Sequence, residues 1–259
     1  MPAPHRAIEP GPHSRPLAIL SALVDEQRGL IDHLQGARCV DHAGRKFWLG
    51  HLQDVPVVLT VSRIGKVSAA LTAATLIERF KVSAIVFTGV AGAMDEALQV
   101  GDVVIAREFL QHDLDVSPLF PRYELPSYGR ARMGCHPELS DRLAEAAQQA
   151  LAYNFPAARL HQGLVVSGDR FVCGAQEVRQ LRERLQGDGH WALAVEMEGA
   201  AVAQVCTDHG LPYAAMRTIS DRADDQAHRD FAQVIEQVAS RYAQAIIERL
   251  LPAMAAAGP

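Results

Sequence analysis

The chain has 259 residues, 49% of them hydrophobic and 21% charged, with a formal net charge of -5. That supplies core for one large α/β domain or two small ones, and the negative balance disfavours nucleic acid or an anionic membrane as a partner. Cys39, Cys135, Cys173 and Cys206 form no CxxC pair, which suits a reducing compartment and suggests neither a disulfide framework nor a zinc knuckle.

The opening MPAPHRAIEPGPHSRP (1–16) has no apolar run of signal-peptide length and reads as a disordered leader. Residues 253–259 read as a tail, leaving 17–252 as one domain. No segment approaches the ~20 apolar residues of a membrane span, so the expected location is the cytoplasm. PLAILSAL (16–23) reads as a buried strand, and DEQRGLIDHL (25–34) as a helix with Leu30, Ile31 and Leu34 on one side. RKFWLGHL (45–52) and VPVVLTVS (55–62) are strands joined by a turn at Gln53-Asp54. GKVSAALTAATLIERF (65–80) is a helix whose apolar side is read as Val67, Ala70, Leu71, Ala74 and Leu76.

SAIVFTGVAGA (83–93) is a strand running into a Gly-rich turn, and VGDVVIAREFL (100–110) holds another strand. Asp113 to about Pro137 reads as an extended loop, of a length more often functional than incidental. HPELSDRLAEAAQQAL (136–151) has proline early and acids in its first turn, so it is a helix. Then come a strand in GLVVSGD (163–169), a helix in QEVRQLRERL (176–185), a strand in ALAVEM (192–197) and a helix in EGAAVAQVCTDHG (198–210). LPYAAMRTISD (211–221) is the last strand and FAQVIEQVASRYAQAIIERLL (231–251) a long amphipathic helix. The alternation predicts an α/β single domain with a central mixed twisted sheet flanked by helices.

Ligand groups in such sheets gather at the C-terminal ends of strands. Those positions hold Asp25-Glu26, Arg63-Ile64-Gly65, Gly89-Val90-Ala91-Gly92, Ser167 to Phe171, Glu196-Met197-Glu198 and Ser220-Asp221. Each has a plain structural use as well. Glycines allow tight turns, Phe171 could be core, and Glu26 and Asp221 could cap or turn the chain. Glu196 and Glu198 could serve a helix first turn, where a carboxylate contributes roughly 0.3–1 kcal/mol. IGK lacks the full GxxxxGK[ST] of a phosphate loop. Eleven histidines show no HxH or HExxH spacing, so no metal is expected, and His112-Asp113 reads as a surface or supporting pair.

Taken together, SALVDEQ (21–27), SRIGKVSAA (62–70), TGVAGA with LQVGDVV (88–104), VSGDRFV (166–172), AVEMEGAAVAQVC (194–206) and RTISDRAD (217–224) resemble the nucleoside phosphorylase/nucleosidase superfamily. Within it the chain is most similar to the methylthioadenosine/S-adenosylhomocysteine nucleosidases, from about Leu17 to Leu251. The resemblance implies a three-layer sandwich, an N-ribosyl hydrolase, a purine nucleoside substrate, a homodimer and no cofactor. It implies that Asp221 protonates the purine N7, with Ser220 orienting it, and that Glu26 activates water. Glu198 would hold the ribose hydroxyls over Met197. Phe171 would stack on adenine while the Val172 backbone reads its edge, and Gly92 would line the site. Ile64 and Phe231, with Leu23, would keep the 5′ end apolar.

The chemistry needs such groups. Breaking an N-glycosidic bond builds an oxocarbenium-like sugar and an electron-rich purine, so an acid helps departure and a carboxylate activates water. Phosphorylases of this fold usually carry a Gly-Asp-Pro-x-Arg loop and a further arginine, which match phosphate. This chain has Val24-Asp25-Glu26 and Thr88 at those places, which favours hydrolysis. Other departures are Arg63, where nucleosidases often have glycine, Val90, where serine is common, and the loop around Ser117–Tyr128. In the family the corresponding loop of a neighbouring subunit closes over the 5′ end. The alternatives are a purine nucleoside phosphorylase, a nucleosidase for another 5′-modified nucleoside such as futalosine, and an inert nucleoside-binding protein.

Overall fold

Leu17 and Ile19 of the strand β1 (Leu17–Ser21) join one apolar core, while Ala18 and Leu20 join another. A strand covered on both faces carries apolar residues at every position, which is why LAILS shows no alternation with polar residues. The computed structural model describes residues 15–221 and 238–255. Most of the leader, the Arg222-Ala223-Asp224 end of the last motif and Phe231 lie outside these described residues.

After β1 come α1 (Arg28–Asp32), β2 (Gln35–His42), β3 (Arg45–Leu52), β4 (Val55–Val61), α2 (Lys66–Phe80), β5 (Ala84–Phe87) and β6 (Val90–Ala93). The chain continues through β7 (Val103–Gln111), β8 (Arg132–Gly134), α3 (Pro137–Asn154), β9 (Leu160–Ser167) and α4 (Ala175–Gly187). It ends with β10 (Ala192–Glu196), α5 (Gly199–Asp208), β11 (Tyr213–Asp221) and α6 (Ser240–Ala255). The strands form one mixed sheet in the order β2-β3-β4-β1-β5-β11-β6-β10-β9-β7-β8. An additional β11–β7 pairing closes β11, β6, β10, β9 and β7 into a small barrel.

Helices cover both faces, as expected of a three-layer α/β domain. Ala69, Ala73 and Leu76 of α2 and Ala200, Val202 and Cys206 of α5 pack with Ala18, Leu20 and Ile85. Leu30 of α1, Leu143 and Ala147 of α3 and Ile246 and Leu250 of α6 pack with Ile19, Val57 and Val86. Val178, Leu181 and Leu185 of α4 cover Leu164 and Val166 on the barrel.

Several local readings change. Of GVAGA, Val90–Ala93 is not a turn but strand β6, because β10 and β11 hold it from both sides. Strand β2 is unannounced by its sequence, being an edge strand of mostly exposed residues whose pairing with β3 forms it. In α2 the buried side is Ala69, Thr72, Ala73, Leu76 and Ile77, so Val67 and Leu71 are left outside, 80% and 48% exposed. The segment from Asp113 holds β8 and a bridge between Leu125 and Arg130, and is otherwise irregular up to α3. No helix among the described residues is long and apolar enough to cross a membrane.

Candidate active site

The sheet changes partners in the middle of β11. Tyr213–Ala215 pair with β5, Thr218–Asp221 pair with β6, and Thr88 and Gly89 leave the sheet between them. A break of this kind in strand order opens a crevice at the strand ends. The crevice encloses about 670 Å³, and Glu26, Ile64, Gly92, Phe171, Val172, Met197, Glu198, Ser220 and Asp221 all line it. Its volume lies in the range of small-molecule sites. Of the sequence-derived site residues, only Phe231 is not described.

Glu26 is placed by the turn that follows β1. The next residue, Gln27, is fully buried and donates through its side-chain amide to the carbonyls of Ile19 (2.9 Å) and Thr60 (2.6 Å). Glu26, 1% exposed, accepts the N–H groups of Ala22 (2.8 Å), Leu23 (2.9 Å) and Val90 (3.2 Å). None of these belongs to α1, so Glu26 does not cap that helix. Burial pushes its pKa up to about 7, against the lowering effect of the three N–H groups and of Arg217.

The two glutamates around Met197 divide their work because strand becomes helix between them. Glu196 ends β10, and its carboxylate accepts the N–H groups of Glu198 (3.2 Å) and Gly199 (2.9 and 3.0 Å), capping α5. It also accepts the Ser167 hydroxyl, whose oxygen in turn accepts the N–H of Ala200 at 2.8 Å. Glu198 makes no cap bond; its carboxylate accepts the Gly65 N–H at 2.7 Å, across from α2. Gly199 must be glycine, since a Cβ there would meet the Phe109 ring at 2.1 Å. Burial first, and then the Glu196 charge, push the Glu198 pKa up to about 8.

Asp221 closes β11 beyond a register shift after Ile219. Such irregularities re-aim side chains near sites. The buried Ser220 hydroxyl donates to Asp221 Oδ2 at 2.6 Å. Phe171 is 36% exposed at the rim rather than core, while Val172 is 7% exposed.

Arg217 stands outside the sequence-derived candidates, although an arginine within the apolar run YAAMRTI is its own signal, because buried charges are paired or functional. It is 1% exposed and lines the cavity. It donates to Glu196 (2.8 Å) and to the carbonyls of Phe87 (3.1 Å) and Met216 (2.9 Å), with its guanidinium 4.1 Å above the Phe87 ring. Burial alone would lower its pKa; the Glu196 carboxylate outweighs that and raises it. Arg217 is therefore a fixed cation serving three glutamates, Glu26, Glu196 and Glu198.

Among the described residues the arginines on the cavity wall are Arg170 and Arg217. Arg170 is ion-paired to Glu177 at 3.0 Å. Arg63 donates to the Gly44 carbonyl and has a φ of 69°. That left-handed backbone costs a non-glycine residue roughly 1–2 kcal/mol, which accounts for glycine as the common residue there. Arg63→Gly is accordingly expected to be more stable than Arg63→Ala by about 1 kcal/mol, since both lose the hydrogen bond but alanine keeps the backbone strain that glycine relieves. Thermal melts of the two variants check this.

Comparison with known proteins agrees with the geometry. The family model described as the phosphorylase superfamily matches residues 16–252. A 5′-methylthioadenosine/S-adenosylhomocysteine nucleosidase of Chromohalobacter salexigens is 35% identical over 239 residues, covering 91% of this chain and 98% of that protein. The Neisseria meningitidis enzyme of the same name, solved with methylthio-immucillin-A, is 32% identical with a TM-score of 0.82, covering 92% of this chain and 99% of that one. A Helicobacter pylori futalosine hydrolase is 28% identical with a TM-score of 0.82, covering 92% and 98%. The chain belongs to the phosphorylase superfamily and, within it, to the 5′-methylthioadenosine/S-adenosylhomocysteine nucleosidases.

Proposed function

We propose that the protein hydrolyses the N-glycosidic bond of 5′-methylthioadenosine and S-adenosylhomocysteine, releasing adenine and a 5′-thioribose. The observation that carries this is the convergence of Glu26, Glu198 and Asp221, from distant parts of the chain, on one cavity. In the reaction, water adds its oxygen to C1′ and gives a proton to Glu26. The C1′–N9 bond breaks with its electrons passing to the purine, and Asp221 supplies a proton to N7. Glu198 binds the ribose hydroxyls, whose hydrogen bonds strengthen as the sugar becomes cationic. Met197 forms the sugar's apolar floor, Phe171 stacks on the base, the Val172 backbone reads its edge, and Gly92 leaves room beside it. Ser220 orients Asp221, and Leu23, Ile64 and Phe231 receive an apolar 5′ substituent.

Hydrolysis is favoured over phosphorolysis by charge. Arg217 is already paired with Glu196, Arg170 with Glu177, and Arg63 is turned to Gly44. A buried carboxylate at Glu26 would repel phosphate. The second reading, a nucleosidase for futalosine or a related 5′-modified nucleoside, is supported by the similarity to futalosine hydrolase. The protein acts in the cytoplasm, in methionine salvage, as a homodimer. The apolar pair Val67 and Leu71, left outside on α2, which begins two residues after the cavity-lining Ile64, supports the dimer.

A panel of methylthioadenosine, adenosylhomocysteine, 5′-deoxyadenosine, adenosine, inosine and futalosine, assayed for base release with and without phosphate, tests the assignment. Phosphate-independent adenine release, fastest for the 5′-thio nucleosides, is expected. Absolute dependence on phosphate would make the protein a phosphorylase, and tight binding without release would make it an inert binding protein.

A further inference from the structure

Three segments meet at the rim of the cavity: the start of α2, the residues after β7 and the turn after β9. Lys66 joins them. Its ammonium donates to Asp113 at 2.5 Å and to Gln111 at 3.1 Å, and its backbone N–H donates to Asp169 at 2.7 Å. Asp113 completes the ring, its other carboxylate oxygen accepting the Asp169 N–H at 2.9 Å. The Lys66 and Asp113 side chains are 16% and 31% exposed, so the pair is sheltered from solvent more than a surface ion pair would be.

This ring adjoins the site on two sides. Gly65, directly before Lys66, is the N–H donor to Glu198. It has a φ of 97°, and a Cβ there would lie 3.1 Å from the Asp169 carboxylate, so ring and donor share one tightly shaped turn. Asp169 stands two residues before Phe171, which lines the same cavity.

We infer that Lys66 and Asp113 are positioning residues that hold the Gly65 N–H against Glu198 and so aim that carboxylate at the sugar. This rests on the reading of Glu198 as the sugar-binding group. A carboxylate oxygen that accepts a fixed N–H has its direction set, and the other oxygen is then presented to the ribose hydroxyls in one orientation. Without the ring, the Gly65 turn loses its ties to two strands and the Glu198 carboxylate can rotate.

The test compares kcat/KM for adenine release from 5′-methylthioadenosine with that from its 2′,3′-dideoxy counterpart, which offers Glu198 no hydroxyl. In Lys66→Met and Asp113→Ala the ribonucleoside should lose roughly 10- to 100-fold, the scale of a misplacement of about 1 Å. The dideoxy compound should lose less than about threefold. The double variant should lose no more than the worse single one, because both act through one ring. Asp113→Asn, which keeps an acceptor for the Asp169 N–H and preserves shape, should lose less than the alanine variant, and it carries the comparison if Asp113→Ala does not fold. Equal losses on both substrates, or no loss on either, would overturn the inference. Glu198→Gln run alongside separates the two ideas. If its discrimination between the substrates collapses while the ring variants keep theirs, the ring proposal alone falls; if Glu198→Gln also keeps its discrimination, the sugar-binding reading falls.

Discussion

Asp221→Asn is expected to lose roughly 10²–10⁴-fold in adenine release while still binding nucleoside, the usual contribution of general acid catalysis. Asparagine has the shape of aspartic acid but no carboxylic proton to give. The surrounding geometry should hold, because the Ser220 hydroxyl can donate to the asparagine oxygen as it does to Asp221 Oδ2 at 2.6 Å. Single-turnover adenine release and calorimetric titration with methylthioadenosine separate the two effects. A variant that turns over at nearly the wild-type rate would remove Asp221 from the chemistry. A variant that no longer binds would give it a holding role instead.

Glu26→Gln should lose a comparable factor and, in addition, change the pH profile. Water activation needs the carboxylate ionised, and burial raises its pKa to about 7. The wild-type kcat/KM should therefore rise with pH through about 7, and the glutamine variant should lack that limb. Stability moves the opposite way. The folded pKa exceeds the ordinary value of 4.5, so the folded state holds this proton more tightly than the unfolded state. The resulting stabilisation is complete below about 4.5 and is lost as pH rises through about 7. At about 1.4 kcal/mol per pKa unit, the loss is on the order of 3 kcal/mol. Denaturant melts from pH 4 to 8 should show a shallower decline in Glu26→Gln. The part belonging to Glu198, raised to about 8, should persist in that variant. An unchanged slope would show that Glu26 does not carry the buried proton.

The elements most legible in the sequence were those whose stability is local or whose burial is complete. The turn at Gln53-Asp54 joins β3 and β4 as expected, with φ of 48° and 64° at its two residues. The helix that begins at Pro137 starts where its proline and acids mark it. Less legible were elements defined by their partners. GVAGA looks like a turn because four of its five residues are glycine or alanine, and only pairing with β10 and β11 makes Val90–Ala93 the strand β6. The buried side of α2 differs from the expected one because its sequence carries more apolar residues than one face needs, and packing against α5 selects which of them to bury. The roles of Glu196 and Glu198 likewise depended on where strand turns to helix.

Sequence alone determined the α/β class, the strands and helices with strong apolar patterning, the family and the candidate acids, because apolar patterning and motif chemistry are written in neighbouring residues. Tertiary structure decided that Glu196 caps α5 while Glu198 faces the cavity, that Arg217 is the buried cation beside them, and that Lys66, Asp113 and Asp169 tie the rim together. Those outcomes turn on directions and distances between side chains far apart in the chain, which exist only once the sheet has closed and water has been excluded from around the charges.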